Sequence, residues 1–308
     1  MPVEFVRGSE RQTLYGLVAQ FGTYWIIRRV MPRSSIPTVR PRCAAPTQLQ
    51  LLRKDLTQSL MNWQFWVHLG WEDVAKQYRR SFLGPVWISI NTAIFVFAFG
   101  MIGAQLFKMD VQTYLPYFCV GHVVFTFLST LINEGCQTYM AAEAFLKQTP
   151  YPKFAFALRV VWRNCIMFIH NLPVALLVLL WSGRLLQVNL LGLVFALFLT
   201  LISASLLTAI LGVVSARYRD VPMIVSSIMQ ISFFVTPVIW QSSQLTERAQ
   251  ILVNYNPLAA YLELLRAPLL GQAPSNSAYV MVAGVMVALL LLFATVFMAA
   301  RRRIVYWI

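Results

Sequence analysis

Trp87 to Phe107 is a run of 21 residues without a formal charge, and nothing else in the chain narrows its fold so much. About 20 apolar residues in a helix cross the hydrocarbon of a bilayer. The run is preceded by Glu72-Asp73-Val74-Ala75-Lys76-Gln77-Tyr78-Arg79-Arg80, which is charged and partly amphipathic, and by a break at Gly84-Pro85. Proline fixes φ and suits the first turn of a new helix. Lys76, Arg79 and Arg80 fall where anionic headgroups lie, each favoured by about 1 kcal/mol. Trp87 falls where an aromatic side chain anchors a span at the interface. A helix on the membrane surface feeding a transmembrane helix is expected.

Five more apolar blocks follow, near 114–131, 156–180, 190–214, 223–240 and 278–300. The chain is 58% hydrophobic and 12% charged, where a soluble domain averages about 25% charged residues. A net charge of +14 raises the possibility of nucleic-acid binding, but the distribution argues against it. The basic residues gather at one end of each block: 21 of the 25 Lys and Arg share the side of both termini, and 14 against 4 remain if residues 1–50 are ignored. Positive-inside asymmetry places both termini in the cytoplasm. Cys43, Cys119, Cys136 and Cys165 show neither paired nor metal-ligand spacing, so free thiols are expected.

Residues 1–50 read as a basic leader, disordered or interfacial. The apolar piece Leu14–Ile27 is too short to span. Arg28-Arg29 follows it, where a signal peptide would place a small-residue cleavage site. The leader is expected to be dispensable. Residues 51–84, with Trp63, Phe65, Trp66 and Trp71, read as an amphipathic interface region, and 85–308 as a six-helix transmembrane domain.

No catalytic set is visible. His68, His122 and His170 are isolated, and the chain has no H-E-x-x-H, no G-x-S-x-G and no G-x-x-x-x-G-K-[ST] phosphate loop. Neither a metal site nor a bound cofactor is expected. Between the second and third blocks, an Ala-rich stretch containing Ala142, Glu143, Phe145, Leu146 and Lys147 reads as a short helix, ended by Pro150 and Pro152. After the fourth block, Arg217 and Asp220 stand at i,i+3, a spacing worth only about 0.2–0.5 kcal/mol when exposed. Between the fifth and sixth blocks lie two short amphipathic pieces, near 245–255 and 257–270. Asn256-Pro257 makes an N-cap followed by proline at the first helical position, and Glu263 and Arg266 form another i,i+3 pair.

Four separated strings then converge: Tyr78-Arg79-Arg80-Ser81-Phe82-Leu83-Gly84-Pro85-Val86-Trp87, Tyr218-Arg219-Asp220-Val221, Asn256-Pro257-Leu258 and the closing Tyr306-Trp307-Ile308. Together they resemble the permease subunits of type-2 ABC exporters that move lipid-linked polysaccharide: O-antigen, capsule or teichoic acid. The resemblance runs from about residue 58 to 308. It implies an all-α integral membrane protein of the bacterial inner membrane, with six spans and re-entrant periplasmic gate helices. It implies a homodimer that is not itself an enzyme, with ATP and Mg on a separate nucleotide-binding subunit. The implied substrate is an undecaprenyl-type lipid-linked glycan, and no nucleic acid is involved.

The resemblance also distributes roles. Ala142, Glu143, Phe145, Leu146, Lys147 and Pro150 would form the coupling helix that docks on the ATPase, with Arg217, Arg219 and Asp220 as a second contact. The family's Asn at the start of that helix is replaced by Ala141-Ala142. Lys76, Tyr78, Arg79, Arg80, Gly84, Pro85 and Trp87 would bring the chain into the membrane. Phe95, Phe99, Phe233, Phe234 and Trp240 would line the translocation path, and Asn256, Pro257, Glu263 and Arg266 the periplasmic gate. Rival readings are an exporter of the same architecture for drugs or haem, a secondary transporter, and a membrane glycosyltransferase or acyltransferase. A secondary transporter normally carries intramembrane acids, and only Glu134, near a span end, is available.

The charge asymmetry makes a topological prediction. Arg219 is expected in the cytoplasm and Glu247 and Arg266 on the outer side: a cysteine placed at Arg219 should stay unlabelled by an impermeant thiol reagent in intact cells, and one at Glu247 should be labelled. Labelling at 219 from outside would invert the topology.

Overall fold

A helix that must cross hydrocarbon has to satisfy its own backbone, and the long apolar blocks do so. The structure, a computed structural model, describes residues 47–79, 84, 86–149, 151–241, 246–301 and 303–308, without the side chains at 247–249 and 252. Arg80, Pro85, Pro150 and nearly all of the basic leader lie outside the described residues. Every regular element among the described residues is helical.

α1 (Gln48–Met61) starts in a capping box, with Gln50 N donating to Thr47 Oγ1 at 3.3 Å and Thr47 N to Gln50 Oε1 at 3.0 Å. The helix therefore begins three residues before Leu51, and a truncation at Leu51 would remove a cap worth about 1 kcal/mol. α1 turns at Asn62 into α2 (Trp63–Tyr78), and Trp66 Nε1 pins the elbow by donating to Ser59 O at 3.1 Å. Then come α3 (Val86–Leu106), α4 (Val111–Cys136), the short α5 (Glu143–Gln148), α6 (Phe154–Trp181) and α7 (Leu190–Arg217). α8 (Val221–Val235), α9 (Glu247–Asn254), α10 (Pro257–Leu269), α11 (Asn276–Ala300) and α12 (Ile304–Trp307) complete the chain.

Five of these, α3, α4, α6, α7 and α11, are long and apolar enough to cross a membrane. The block expected to be the fifth span differs. Its helix stops at Val235 after 15 residues, about 22 Å at 1.5 Å per residue. The cause is local: Thr236 precedes Pro237 and takes an extended conformation (φ −82°, ψ 141°), because a proline's ring disfavours the α region in the residue before it. Residues 236–241 leave helical geometry instead of continuing the helix.

α4 is the mast. It is buried over most of its length and packs against α3, α6, α7, α8 and α10. Small residues let neighbouring backbones come close, as in membrane bundles generally. A Cβ at Gly135 of α4 would stand 3.2 Å from the Thr208 Cα of α7, and one at Gly103 of α3 would stand 2.7 Å from Tyr114 ring carbons. A large apolar core surrounds α4. A second gathers α1, α5, the start of α6 and the ends of α7, α11 and α12, at what is called below the basic end.

Ion pairs fasten the helices there. Asp73 of α2 grips Arg159 of α6 through two contacts of 2.6 Å, and Glu134 of α4 meets Arg163 Nη2 at 2.6 Å.

The Gly103 contact is testable. Tyr114 cannot swing away, because its hydroxyl donates to Ile239 O at 2.8 Å. Gly103→Ala should therefore destabilise the protein by about 1–3 kcal/mol, read as a lowered thermal midpoint in detergent. Unchanged melting would mean that α3 and α4 are not closely packed there.

Candidate functional site

The residues singled out in the sequence fall into three places. The first is the basic end, where α5 lies beside the loop after α7. Ala142 is fully buried at the N-cap of α5. Leu146 is 6% exposed and packs into the chain's own second core, whereas its neighbour Phe145 is 39% exposed. Adjacent helical residues point about 100° apart, so a helix of six residues has an anchored face and a free one. Lys147 Nζ meets Glu143 Oε1 at 2.6 Å. That hydrogen bond and charge hold the Glu143 carboxyl below its usual range, with the Arg219 charge adding to the effect.

The expected Arg217–Asp220 pair does not form. α7 ends at Arg217, so no helix continues to bring the two onto one face. The Arg217 guanidinium instead lies 5.1 Å from the Trp307 ring centroid and 5.5 Å from that of Tyr218. Arg219 and Asp220 are exposed. At the end of α2, Lys76 pairs with Glu72 at 3.0 Å, Arg79 is exposed, and the Tyr78 hydroxyl reaches Met167 Sδ at 3.9 Å. Gly84 turns at φ 57°, a conformation glycine adopts without penalty, and Trp87 is exposed.

Two contacts at this end were not foreseen in the sequence. Phe65 stacks on Tyr151 at 4.1 Å, holding the exit from α5. Asp55 is 1% exposed and accepts from Lys153 N at 3.1 Å, Phe154 N at 3.2 Å and Arg301 Nη2 at 3.1 Å. Lys153 Nζ in turn donates to Arg301 O. Burial, with the Arg301 charge beside it, lowers the Lys153 pKa, and Asp55 pulls it the other way. The signal was available: Leu52, Asp55 and Ser59 share one face of α1, and all three are buried.

The second place is a ladder of rings. Phe95 stacks on Phe99 at 5.3 Å and on His122 at 4.6 Å, and Phe233 meets Phe125 and Phe234 edge-on at 5.3 and 5.4 Å. Below it, α4 and α8 frame an open groove of ≈ 550 Å³ containing Ser129, Asn133, Ser226 and Gln230. Trp240 Nε1 donates to Phe234 O at 3.0 Å, across the turn that ends α8.

The third place lies at the opposite end. Asn256 Oδ1 caps Leu258 N at 3.0 Å, and its Nδ2 donates to Thr236 Oγ1 at 3.1 Å. Pro257 opens α10. The Glu263–Arg266 pair expected from spacing is absent: Glu263 accepts from Ser275 N at 2.8 Å. Arg266, 8% exposed, donates to Pro237 O at 2.7 Å and lies 4.1 Å over the Tyr117 ring. Glu263 and Arg266 line a polar cavity of ≈ 430 Å³.

Glu134 pairs with Arg163 and accepts from Asn164 Nδ2. Among the described residues no cluster of His, Cys, Asp and Glu could hold a metal ion.

Residues 64–270 match the family described as ABC-2 type transporter, a stretch that runs from α2 into the end of α10. The chain is similar to the O-antigen export system permease protein RfbA of Myxococcus xanthus, 23% identical over 205 residues, which are 65% of this chain and 78% of that protein. A protein of the same name from Klebsiella pneumoniae is 22% identical over 195 residues, 62% of this chain and 74% of its own length. A second from Klebsiella pneumoniae is 20% identical over 192 residues, with the same coverage.

The Arg266 geometry predicts what its loss would do. Arg266→Met removes a charge-assisted hydrogen bond worth about 1.5–3 kcal/mol and the contact with Tyr117. Residues 236–241 should then exchange their amide hydrogens faster while the exchange of α6 stays unchanged. Equal protection in both proteins would show that the turn is held by other contacts.

Proposed function

The chain belongs to the ABC-2 type transporter family, and from that premise we propose that it is the channel-forming permease of a bacterial exporter of lipid-linked polysaccharide. Two copies would enclose the path, and separate ATP-binding subunits would hydrolyse ATP with Mg at the basic end, on the cytoplasmic side. The chain itself is a multi-pass membrane protein and carries no phosphate-binding loop in its sequence. The short α8 would complete a sixth crossing together with the turn at 236–241, and α9 and α10 would form the periplasmic gate. The substrate class rests on the similarity to the O-antigen export permeases. A drug or haem exporter of the same architecture is the alternative outcome.

One observation carries the mechanism: Phe145 is exposed on a helix whose other face is locked into the chain. A helix without phosphate chemistry can act on transport only by passing on the motion of an ATPase. That requires a free apolar knob on an anchored stem. Phe145 is the knob and Leu146 belongs to the stem. Arg219 and Asp220 present charge beside them, and the rings of Phe95, Phe99, Phe233 and Phe234 offer a sliding glycan weak, repeated contact.

The test separates knob from rim. Phe145→Ala should cost about 2 kcal/mol of ATPase-subunit binding, roughly thirtyfold in affinity. It should abolish surface polysaccharide in the native host while membrane insertion stays intact. Lys147→Ala should do little, since exposed ion pairs are worth about 0–1 kcal/mol. Normal subunit retention and normal surface glycan in Phe145→Ala would leave the 217–222 loop as the main contact. A deletion strain with unchanged surface polysaccharide would overturn the substrate assignment.

A further inference from the structure

We infer that Asp55 is a positioning residue that makes α6 and α11 respond together to movement of α5, an inference that rests on α5 being the ATPase-coupling helix. The three groups form a closed circuit. Asp55 accepts from the first free amides of α6, Lys153 N and Phe154 N, Arg301 at the C-cap of α11 donates to Asp55, and Lys153 Nζ donates a hydrogen bond to the Arg301 carbonyl. Each charge thus sits at the helix end it suits: the carboxylate at the positive start of α6, the ammonium at the negative end of α11.

The place of the circuit in the chain gives it a mechanical role. Only residues 149–153 separate α5 from α6, so the covalent path from α5 leads straight to the circuit. α11 is more than 120 residues further along and has no such covalent path. Leu52, Leu146, Phe154, Ala300 and Ile304 share one apolar core around the circuit. Apolar packing of that kind allows sliding, whereas a carboxylate bound to two backbone amides and a guanidinium does not. At the other end of α5, Tyr139 is fully buried and its ring lies 2.9 Å from where a Gly212 Cβ would stand. Movement of α5 is therefore channelled through its exit.

A buried carboxylate could also serve the fold alone, so the test needs a readout that stability does not move. Asp55→Asn keeps the shape and an acceptor oxygen but removes the charge. It would be expressed in the native host beside the ATP-binding subunit, and three quantities compared with wild type: amount of assembled complex, KM and kcat for ATP of the purified complex, and surface polysaccharide. The expected result is unchanged assembly, ATP hydrolysis within about twofold, and surface polysaccharide reduced about tenfold, the size expected from losing charge-assisted hydrogen bonds. Surface polysaccharide that simply follows the amount of complex would overturn the inference and leave Asp55 a purely structural residue. If Asp55→Asn fails to assemble, Arg301→Gln decides instead, because it opens the circuit and spares both α6 amides. Arg301→Gln with wild-type glycan per complex would equally overturn it. A wild-type chain that binds no ATPase subunit would instead defeat the coupling assignment itself, whatever Asp55 does.

Discussion

Three side chains catching three carbonyls allow this bundle to break its own rule. Within hydrocarbon a backbone group left without a partner costs several kcal/mol, yet the chain leaves helical geometry at Thr236. The stranded carbonyls are recovered one by one: Arg266 and Tyr117 take Pro237, Tyr114 takes Ile239, and Tyr117 also takes Trp240, at distances of 2.7 to 3.2 Å. Two of the donors stand on α4, so the central mast that organises the long helices also supports this irregular segment packed among them. Arg266 adds a charge that needs no carboxylate, because a carbonyl and an aromatic face share it.

The basic end solves a different problem by different means. There the helices start and stop, and termini carry unpaired amides and carbonyls. Charged side chains meet them directly: Asp55 at the start of α6 and Lys153 at the end of α11. Asp73–Arg159 and Glu134–Arg163 tie α2 and α4 to α6. A half-buried ion pair is weak evidence of stability, but it fixes which residue sits against which. That precision suits the end where α5 must be held on one face and left free on the other.

Much of this was legible in the sequence. The uncharged run after Gly84-Pro85 became α3 almost residue for residue, the Ala-rich stretch became α5, and Asn256-Pro257 capped α10. Pattern reading worked where one local property decides the outcome. It failed where a distant partner decides it. Arg217 and Asp220, and Glu263 and Arg266, have the spacing of ion pairs, but in the first case the helix ends and in the second Pro237 and Ser275 offer better partners. Asp55 is not singled out by its neighbours in the sequence, because its partners lie about 100 and 246 positions away. The length of α8 was readable in principle from Thr236-Pro237, but the apolar run to Trp240 masked it.

The shortness of α8 has a consequence for the lipid around it. A hydrocarbon core of about 30 Å overhangs a helix of about 22 Å by roughly 8 Å. Hydrophobic mismatch of that kind strains the membrane by fractions of a kcal/mol per ångström, although α8 exposes apolar side chains such as Ile224, Ile228, Ile231 and Phe234. Such a helix is too short a match for acyl chains, and the strain is relieved when something other than hydrocarbon lies beside it, whether protein or water. The side of the subunit that bears α8 is in this sense selected against lipid, by length alone.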